Sequence, residues 1–214
     1  MQWVDVTGPP GVGKSTVCDP LWGPHAIDFQ NAEPPAQWHD FFNEVTRLLM
    51  VIRDHPSFIP AVRMNRRSMR KMAAVDVSTV DGFYVQTGFV QRGLGFGWRL
   101  LDMGLPIEET HHFWRLMPVS LGVCFLDAPV DVIKQRNKDR EKVKATAHEN
   151  RTHMVDNMRI AASYARTTLE YYQVPIKEIE TTGDPDNTRD QLLDHFGPLN
   201  NALSETARCD RENR

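Results

Sequence analysis

The chain has few cysteines, no long apolar run and no large excess of charge of either sign. Its three cysteines are odd in number and lack the spacing of metal ligands, so we expect a reducing compartment and a cytoplasmic location. Uninterrupted apolar runs such as 48–52 are too short to span a bilayer, and the first residues do not have the pattern of a signal peptide. We therefore expect no association with a membrane.

The formal net charge of −3 argues against a protein that binds non-specifically along nucleic acid, although it is compatible with a local basic patch. No internal repeat is visible. The 214 residues fit one domain, which we place at residues 1–200, followed by a polar C-terminal tail at 201–214. Nothing in this composition predicts the oligomeric state.

The segment from Gly8 to Thr16 reads Gly-Pro-Pro-Gly-Val-Gly-Lys-Ser-Thr and lies between an apolar run and a predicted short helix. This is the pattern of a phosphate-binding loop, in which backbone N–H groups point at phosphates and glycines leave room for them. Lys14 would bind the β and γ phosphates, and Ser15 would offer its hydroxyl to Mg²⁺. The alternative is a turn rich in glycine and proline with a chance Lys-Ser pair. The predicted nucleotide-binding residues are Gly8, Gly11, Val12, Gly13, Lys14, Ser15 and Thr16.

Strand-like runs alternate with segments of helical periodicity along the whole chain. This alternation predicts an α/β fold with a five-stranded parallel sheet, helices on both faces and an active site at the carboxyl ends of the strands. The glycines in 88–97 predict a flexible stretch, and the charged segment 138–151 predicts a mobile one. The expected strands are 3–6, 25–29, 75–80, 119–126 and 176–179, and the expected helices are 15–21, 38–52, 59–74, 106–117, 130–141, 152–172 and 185–196.

Three stretches resemble the nucleoside and nucleotide kinases among P-loop proteins, and adenylate kinases in particular. The first is the phosphate-binding loop. The second, Thr79 to Phe83, is similar to the start of the Asp-Gly-Phe-Pro-Arg segment that follows a central strand in those enzymes. The third runs from Phe125 to Pro129 and on to Arg136 and Arg140, and is similar to the strand, helix and arginines that open the family's lid.

The resemblance covers residues 2 to about 196. It implies a P-loop nucleotide-kinase fold that uses ATP and Mg²⁺, with acceptor-binding helices at about 30–74 and a mobile lid at about 136–155. The chain departs from the family at Tyr84-Val85, which stand where the family has Pro-Arg, an arginine that binds the phosphate of a mononucleotide acceptor. The family's acceptor-binding signature is also absent around Asp28. These departures favour a hydroxyl acceptor or a different acceptor geometry.

Two carboxylates are candidates for the chemistry of transfer. Asp81 would order the waters of Mg²⁺ or orient the acceptor, and the alternative is a turn residue before Gly82. Asp28 would be the general base for a hydroxyl acceptor, as the matching carboxylate is in deoxynucleoside kinases, and the alternative is an ordinary loop residue. Which of the two is the base stays open.

Two groups of arginines are candidates for binding phosphate. Arg136 and Arg140 are four residues apart on one helix face and would close onto the γ-phosphoryl group from a lid, unless they only pair with neighbouring acids in solvent. A second group forms one helical stripe without any acid, in the region where these kinases hold the acceptor, and would suit an anionic acceptor; the alternative is a solubilising surface. The predicted acceptor-binding residues are Arg63, Arg66, Arg67, Arg70 and Tyr84.

Six aromatic residues could stack on a base, and we expect only one or two of them to do so because aromatics at helical spacing usually belong to the core. They are Trp38, Phe41, Phe42, Phe83, Tyr84 and Phe89.

These residues together favour a Mg²⁺-dependent kinase that transfers the ATP γ-phosphoryl group to a nucleoside or a nucleotide. One alternative is transfer to a hydroxyl of a modified base such as 5-hydroxymethyluracil within DNA, as in phage DNA-modifying kinases of this superfamily, which would make DNA a partner. Another class is a nucleotide switch or a scaffold without turnover. The segment from Asn137 to Arg140 is superficially similar to the guanine-binding motif Asn-Lys-x-Asp, but Arg140 stands in place of the final Asp, which argues against a guanine-nucleotide switch.

Overall fold

The computed structural model describes residues 3–18, 36–74, 83–85, 88–118, 121–143, 150–181 and 183–197. These residues form a parallel β-sheet with helices on both faces. Four strands are described, in the spatial order β2-β1-β3-β4. Their bounds are β1 Trp3–Thr7, β2 Phe83–Val85, β3 Gly122–Asp127 and β4 Ile176–Glu180.

Eight helices surround the described sheet. They are α1 Lys14–Cys18, α2 His39–Val51, α3 Phe58–Ala74, α4 Phe89–Asp102, α5 His111–Leu116, α6 Val130–Val143, α7 Asn150–Tyr171 and α8 185–197. A short 3₁₀ turn precedes each of α2 and α5. None of the described helices combines the length and apolarity that a membrane span requires.

The two faces of the sheet carry separate hydrophobic clusters because successive strand residues point in opposite directions. On one face, Trp3 and Phe125 pack with residues of α2, α4, α5 and α7. On the other, Val6 and Leu126 pack with residues of α1, α6 and α8. All five residues of β1 are buried, as expected for a central strand that is covered on both faces.

The glycine-rich segment 88–97 was predicted to be flexible, and this prediction was wrong, because nearly all of it belongs to helix α4. Its glycines allow close packing. A Cβ at Gly93 would collide with the ring of Trp114, and a Cβ at Gly97 would lie 2.8 Å from the Cβ of Ala161 on α7. Tertiary packing against α5 and α7 thus outweighs the low helix propensity of glycine.

The strands β1, β3 and β4 and the helices α2, α3, α6, α7 and α8 confirm the sequence predictions apart from shifts at their ends. The strand β2 was not predicted as a strand; it follows the expected strand 75–80. The expected strands 25–29 and 75–80 lie outside the described residues, so the fifth strand stays a prediction. The charged segment 138–151 starts and finishes in helix, since α6 continues to Val143 and α7 begins at Asn150. The lid at 136–155 stays a prediction.

Candidate functional site

The loop between β1 and α1 has the backbone of a phosphate cradle. Gly8 and Gly11 have φ angles of +142° and +89°, in the region that L side chains rarely adopt. Neither position has room for a side chain, because a Cβ at Gly8 would collide with the carbonyl oxygen of Leu126 and one at Gly11 would lie 2.7 Å from Oδ1 of Asn137. Glycine is therefore required at both positions.

Lys14 begins helix α1 and folds back over this loop. Its Nζ atom donates hydrogen bonds to the carbonyl oxygens of Gly8 at 2.6 Å and Pro9 at 3.0 Å. Ser15 and Thr16 follow in the first turn of the helix, with Ser15 half-buried and Thr16 exposed. The predicted loop residues thus come together at the carboxyl end of β1, with a fixed positive charge beside the cradle.

Side chains from α6 and from the end of β4 hold the loop from its other side. Arg136 donates from Nη2 to the carbonyl oxygen of Thr181 at 2.7 Å and from Nη1 to that of Val12 at 3.3 Å. The hydroxyl of Thr181 also donates to the Val12 carbonyl, at 2.7 Å, and Nδ2 of Asn137 donates to the Pro10 carbonyl at 3.1 Å. The predicted lid residue Arg136 therefore contacts the phosphate loop itself.

A partly open cavity of about 230 Å³ adjoins the loop on this side. Arg136 and Thr181 line it together with Gly13, Thr16 and residues at the start of α8. The planar guanidinium of Arg136 at one wall could stack on a base, and its charge would favour the anionic end of a nucleotide. This cavity and the loop together have the layout of a site for a nucleoside polyphosphate.

Sequence reasoning missed a buried carboxylate directly before the loop. Asp5 in β1 is 1% exposed, and its Oδ2 accepts a hydrogen bond of 3.0 Å from Nε1 of Trp3. Its Oδ1 has no hydrogen-bond partner, and a Cβ at Gly88 would collide with it. Burial raises the pKa of Asp5 to about 7, although the Trp3 hydrogen bond, the Val90 N–H and the nearby Arg92 act in the opposite direction.

Helix α4 supplies further polar groups near the end of β1. The hydroxyl of Thr7 donates to Oε1 of Gln91 at 3.0 Å, so the first turn of α4 is tied to the residue before Gly8. Burial lowers the pKa of Arg92 to about 10, and its Nε atom has no hydrogen-bond partner. The sequence signal for this group was a pair of polar residues, Gln91 and Arg92, in the first turn of a helix whose other polar residues, Arg99 and Asp102, lie near its end.

A second carboxylate lies beside the loop at the end of β3. Oδ2 of Asp127 accepts a hydrogen bond of 2.6 Å from Nη2 of Arg159 on α7, and its Oδ1 is buried without a partner. Both residues line a small cavity of about 110 Å³ together with Gly8 and Pro9. Sequence reasoning assigned Asp127 no role, although an acid at the end of an apolar strand next to β1 was a visible signal.

The remaining predicted residues are not brought to the loop by the described structure. Arg63, Arg66, Arg67 and Arg70 form an exposed stripe on α3. Asp28, Asp81 and the side chains of Arg140 and Tyr84 lie outside the described residues, although the backbone of Tyr84 belongs to β2 and pairs with Val4. Of the aromatics, Trp38, Phe41 and Phe89 are buried in the core, as expected, whereas Phe42 is half-buried.

Within the described ranges, no group of three or more His, Cys, Asp or Glu side chains could hold a metal ion by itself. A Mg²⁺ ion in a phosphate-binding loop does not need such a group, because phosphate oxygens, water and one hydroxyl complete its shell. The loop fits this arrangement, since its glycines leave the cradle open and Ser15 follows Lys14 at the start of α1.

No protein-family model and no curated protein sequence matches the chain. Solved structures do match. A deoxyadenosine kinase from M. mycoides with bound dCTP has a TM-score of 0.54 and 12% identity, covering 92% of this chain and 100% of its own. The same enzyme with bound dATP has a TM-score of 0.53 and 9% identity over the same shares. The fold of this chain is thus similar to that of a deoxyadenosine kinase, which agrees at the level of the fold with the resemblance that the sequence motifs indicated.

Proposed function

We propose that this protein is an ATP- and Mg²⁺-dependent kinase that transfers the γ-phosphoryl group to a nucleoside-type or nucleotide-type acceptor. The observation that carries the proposal is the phosphate cradle. Gly8 and Gly11 have no room for side chains, Lys14 folds over the cradle and Arg136 contacts its other side. The likeness of the fold to a deoxyadenosine kinase supports the same class of reaction.

Phosphoryl transfer requires positive charge at the phosphates, correct orientation of the reacting groups and, for a hydroxyl acceptor, removal of a proton. An acceptor oxygen attacks the γ phosphorus, the bond from that phosphorus to the β–γ bridging oxygen breaks, and ADP leaves. Lys14 binds the β and γ phosphates and Arg136 adds positive charge at the loop. Ser15 would hold Mg²⁺, which would supply positive charge to offset the negative charge on the phosphates. Where the acceptor is a hydroxyl, its proton passes to a carboxylate, for which Asp28 and Asp81 are the candidates.

A second acceptor is a hydroxyl of a modified base within DNA. The observation that favours it is the stripe of four exposed arginines on α3, which have no ion-pair partner in the described part of the chain. A polyanion would satisfy such a surface, and its binding would weaken steeply with added salt.

The experiment is transfer of ³²P from [γ-³²P]ATP to a panel of nucleosides, nucleotides and oligonucleotides that carry 5-hydroxymethyluracil. We expect label in one acceptor class, no label when EDTA removes Mg²⁺, and a loss of about 10²-fold or more in Lys14→Ala. Arg53→Ala, which removes a cation from an exposed position, is the matched control and should transfer normally. No transfer to any acceptor would refute the proposal in favour of a switch or a scaffold. Retained transfer in Lys14→Ala would show that the loop is not the site of transfer.

A further inference from the structure

An arginine of α7 lies beside the start of the phosphate loop. Arg159 lines a cavity of about 110 Å³ together with Gly8 and Pro9, the first two residues of the loop. Lys14 donates its hydrogen bonds to the carbonyl oxygens of the same two residues. Two cations from different elements thus lie at this end of the loop, and sequence reasoning had assigned Arg159 no role.

A carboxylate holds this arginine in place. Nη2 of Arg159 donates to Oδ2 of Asp127 at 2.6 Å and to the carbonyl oxygen of Ala128 at 3.2 Å. Its Nη1 and Nε atoms donate no hydrogen bond to any residue in the described part of the chain. The side chain of Arg159 is 35% exposed, so a ligand can reach it. The fixed guanidinium therefore keeps N–H donors for the oxygens of a phosphate.

A second ion pair between α7 and the sheet lies further from the loop. Arg166, which also lines the cavity, follows Arg159 by seven residues, about 10 Å along the helix, and pairs with Glu178 of β4. Glu178 is level with Phe125, two residues before the end of β3, whereas Asp127 is the last residue of that strand. Both pairs hold α7 against the sheet. Of the two, the Asp127–Arg159 pair lies at the edge where β1 leads into the loop.

Arg136 lies at the other end of the loop. It bonds the carbonyl oxygens of Val12 and Thr181 and lines the cavity beside α8. The lysine of a phosphate-binding loop reaches the β and γ phosphates. The end of the loop that Lys14 covers is therefore the end for the terminal phosphate, and Arg159 is the arginine on that side.

We propose that Arg159 is a further catalytic residue, which binds the terminal phosphate of the bound nucleotide, and that Asp127 positions it. During transfer the γ phosphorus loses its bond to the β–γ bridging oxygen and gains one to the acceptor oxygen, while negative charge lies on its three equatorial oxygens. Arg159 stabilises this charge and stays bonded to Asp127. The role in transfer rests on the proposed kinase function, whereas the contact with the terminal phosphate rests only on nucleotide binding at the loop.

The first test compares the affinities for ATP and ADP, measured by isothermal titration calorimetry on the full chain with Mg²⁺ and without acceptor. Arg159→Ala should weaken binding of ATP about ten- to hundredfold, the effect of losing hydrogen bonds between charged groups. The affinity for ADP should stay unchanged, because ADP lacks the terminal phosphate. Arg166→Ala, which removes the other ion pair of α7, is the matched control and should bind both nucleotides as the unmodified protein does.

The second test measures transfer and separates chemistry from the packing of α7. Arg159→Ala should lower kcat by about 10²- to 10³-fold. Arg159→Lys, which keeps the charge and loses the planar fork, should recover part of this loss. Asp127→Asn, similar in size, should lower kcat less than Arg159→Ala and leave the affinity for ADP unchanged. Thermal unfolding confirms that each variant folds, and the two conservative variants decide the test if Arg159→Ala does not.

Three results would overturn the inference. The first is an equal loss of affinity for ATP and ADP in Arg159→Ala. The second is an Arg166→Ala variant that behaves like Arg159→Ala, which would show that both ion pairs only hold α7 on the sheet. The third is transfer by Arg159→Ala at the unmodified rate, which would leave the kinase without this residue. A loss of ATP affinity alone, in a protein that transfers to no acceptor, would support the phosphate contact and refute the proposed function.

Discussion

At the scale of single residues, the most unusual group is the buried carboxyl of Asp5, three positions before the phosphate loop. Its burial raises the pKa from the usual 3.8 to about 7. Between these two values the folded state holds a proton that the unfolded state has released. The contribution of Asp5 to stability is therefore largest at low pH and falls as the pH rises through this window.

We predict that Asp5→Asn flattens part of the pH dependence of stability. The free energy of unfolding of the unmodified protein, measured by urea denaturation from pH 5 to 8, should contain a decline toward pH 7 that is smaller in the variant. Asp54→Asn, at an exposed position, is the control and should follow the unmodified protein. Parallel curves for Asp5→Asn and the unmodified protein would show that Asp5 does not titrate in this range.

Arg136 supports a second prediction, because it bonds the carbonyls of Val12 and Thr181 and lines the cavity beside the loop. Arg136→Ala should weaken binding of Mg·ATP about tenfold to hundredfold, the effect of removing charged hydrogen bonds. Thr181→Val, which keeps the shape and loses one neutral hydrogen bond, should cost less. Calorimetric titration with Mg·ATP measures the loss of affinity in each variant. Unchanged affinity in Arg136→Ala would show that Arg136 does not contribute to nucleotide binding.

The residues of the loop could be predicted from the sequence, whereas the side chains from other elements that contact the loop could not. Gly8 to Thr16 form a contiguous pattern whose chemistry depends on the local backbone alone. Arg136 was predicted to bind phosphate, which stays a prediction, but its contact with the loop depends on Thr181, which is distant in the chain and adjacent in space. Asp5 was missed because alternation in a short buried strand does not distinguish an acid that faces Trp3 from one that faces solvent.

At the scale of elements, helix α4 shows how packing overrides local propensity. Its glycines at 93, 95 and 97 predicted a flexible stretch, yet two of them sit where neighbouring helices approach closely. The sequence contains the apolar spacing of this helix in Phe89, Leu94 and Leu100, but the glycines obscured it. Only the positions of Trp114 and Ala161, from other elements, explain why small residues are needed.

We predict opposite effects for two glycine substitutions in this helix. Gly93→Ala would bring a methyl group into the ring of Trp114 and should lower the free energy of unfolding by about 1–3 kcal/mol or more. Gly95→Ala meets only Nη1 of Arg99 at 3.4 Å, so it should be neutral or stabilise by up to about 1 kcal/mol through helix propensity. Chemical denaturation followed by circular dichroism measures both. Equal losses in the two variants would contradict the packing argument.

At the scale of the whole molecule, the parallel order β2-β1-β3-β4 brings the phosphate loop, Asp127 and Thr181 to one edge of the sheet. The alternation of strands and helices predicted a parallel sheet with the site at the carboxyl ends of its strands, because parallel strands joined by helices have few arrangements, but it did not predict the strand order. The acceptor side could not be derived in the same way. Tyr84-Val85 stand where the family has Pro-Arg, and the sequence around Asp28 lacks the family's acceptor-binding signature.

The assignment of the general base also concerns the whole molecule, because its two candidates, Asp28 and Asp81, are distant from each other in the chain. For transfer to a hydroxyl acceptor, we predict that replacing the base lowers kcat by about 10²–10⁴-fold with little change in ATP affinity. The variants are Asp28→Asn and Asp81→Asn, with Glu33→Gln as the comparison from the same segment as Asp28. One of the first two should show this loss, together with a loss of the acidic limb of the pH–rate profile. A loss confined to Glu33→Gln would transfer the role to that residue.

The proposed function requires the loop at Gly8 to Thr16 to be the donor half of a kinase site. The most direct measurement compares the rate of ADP formation with and without the acceptor that becomes labelled. We expect ADP and phosphorylated acceptor to form in equal amounts, ADP formation to be slow without acceptor, and Lys14→Ala to abolish both. ADP formed at the same rate with or without acceptor, with no labelled product, would show that the protein hydrolyses the nucleotide and is not a kinase.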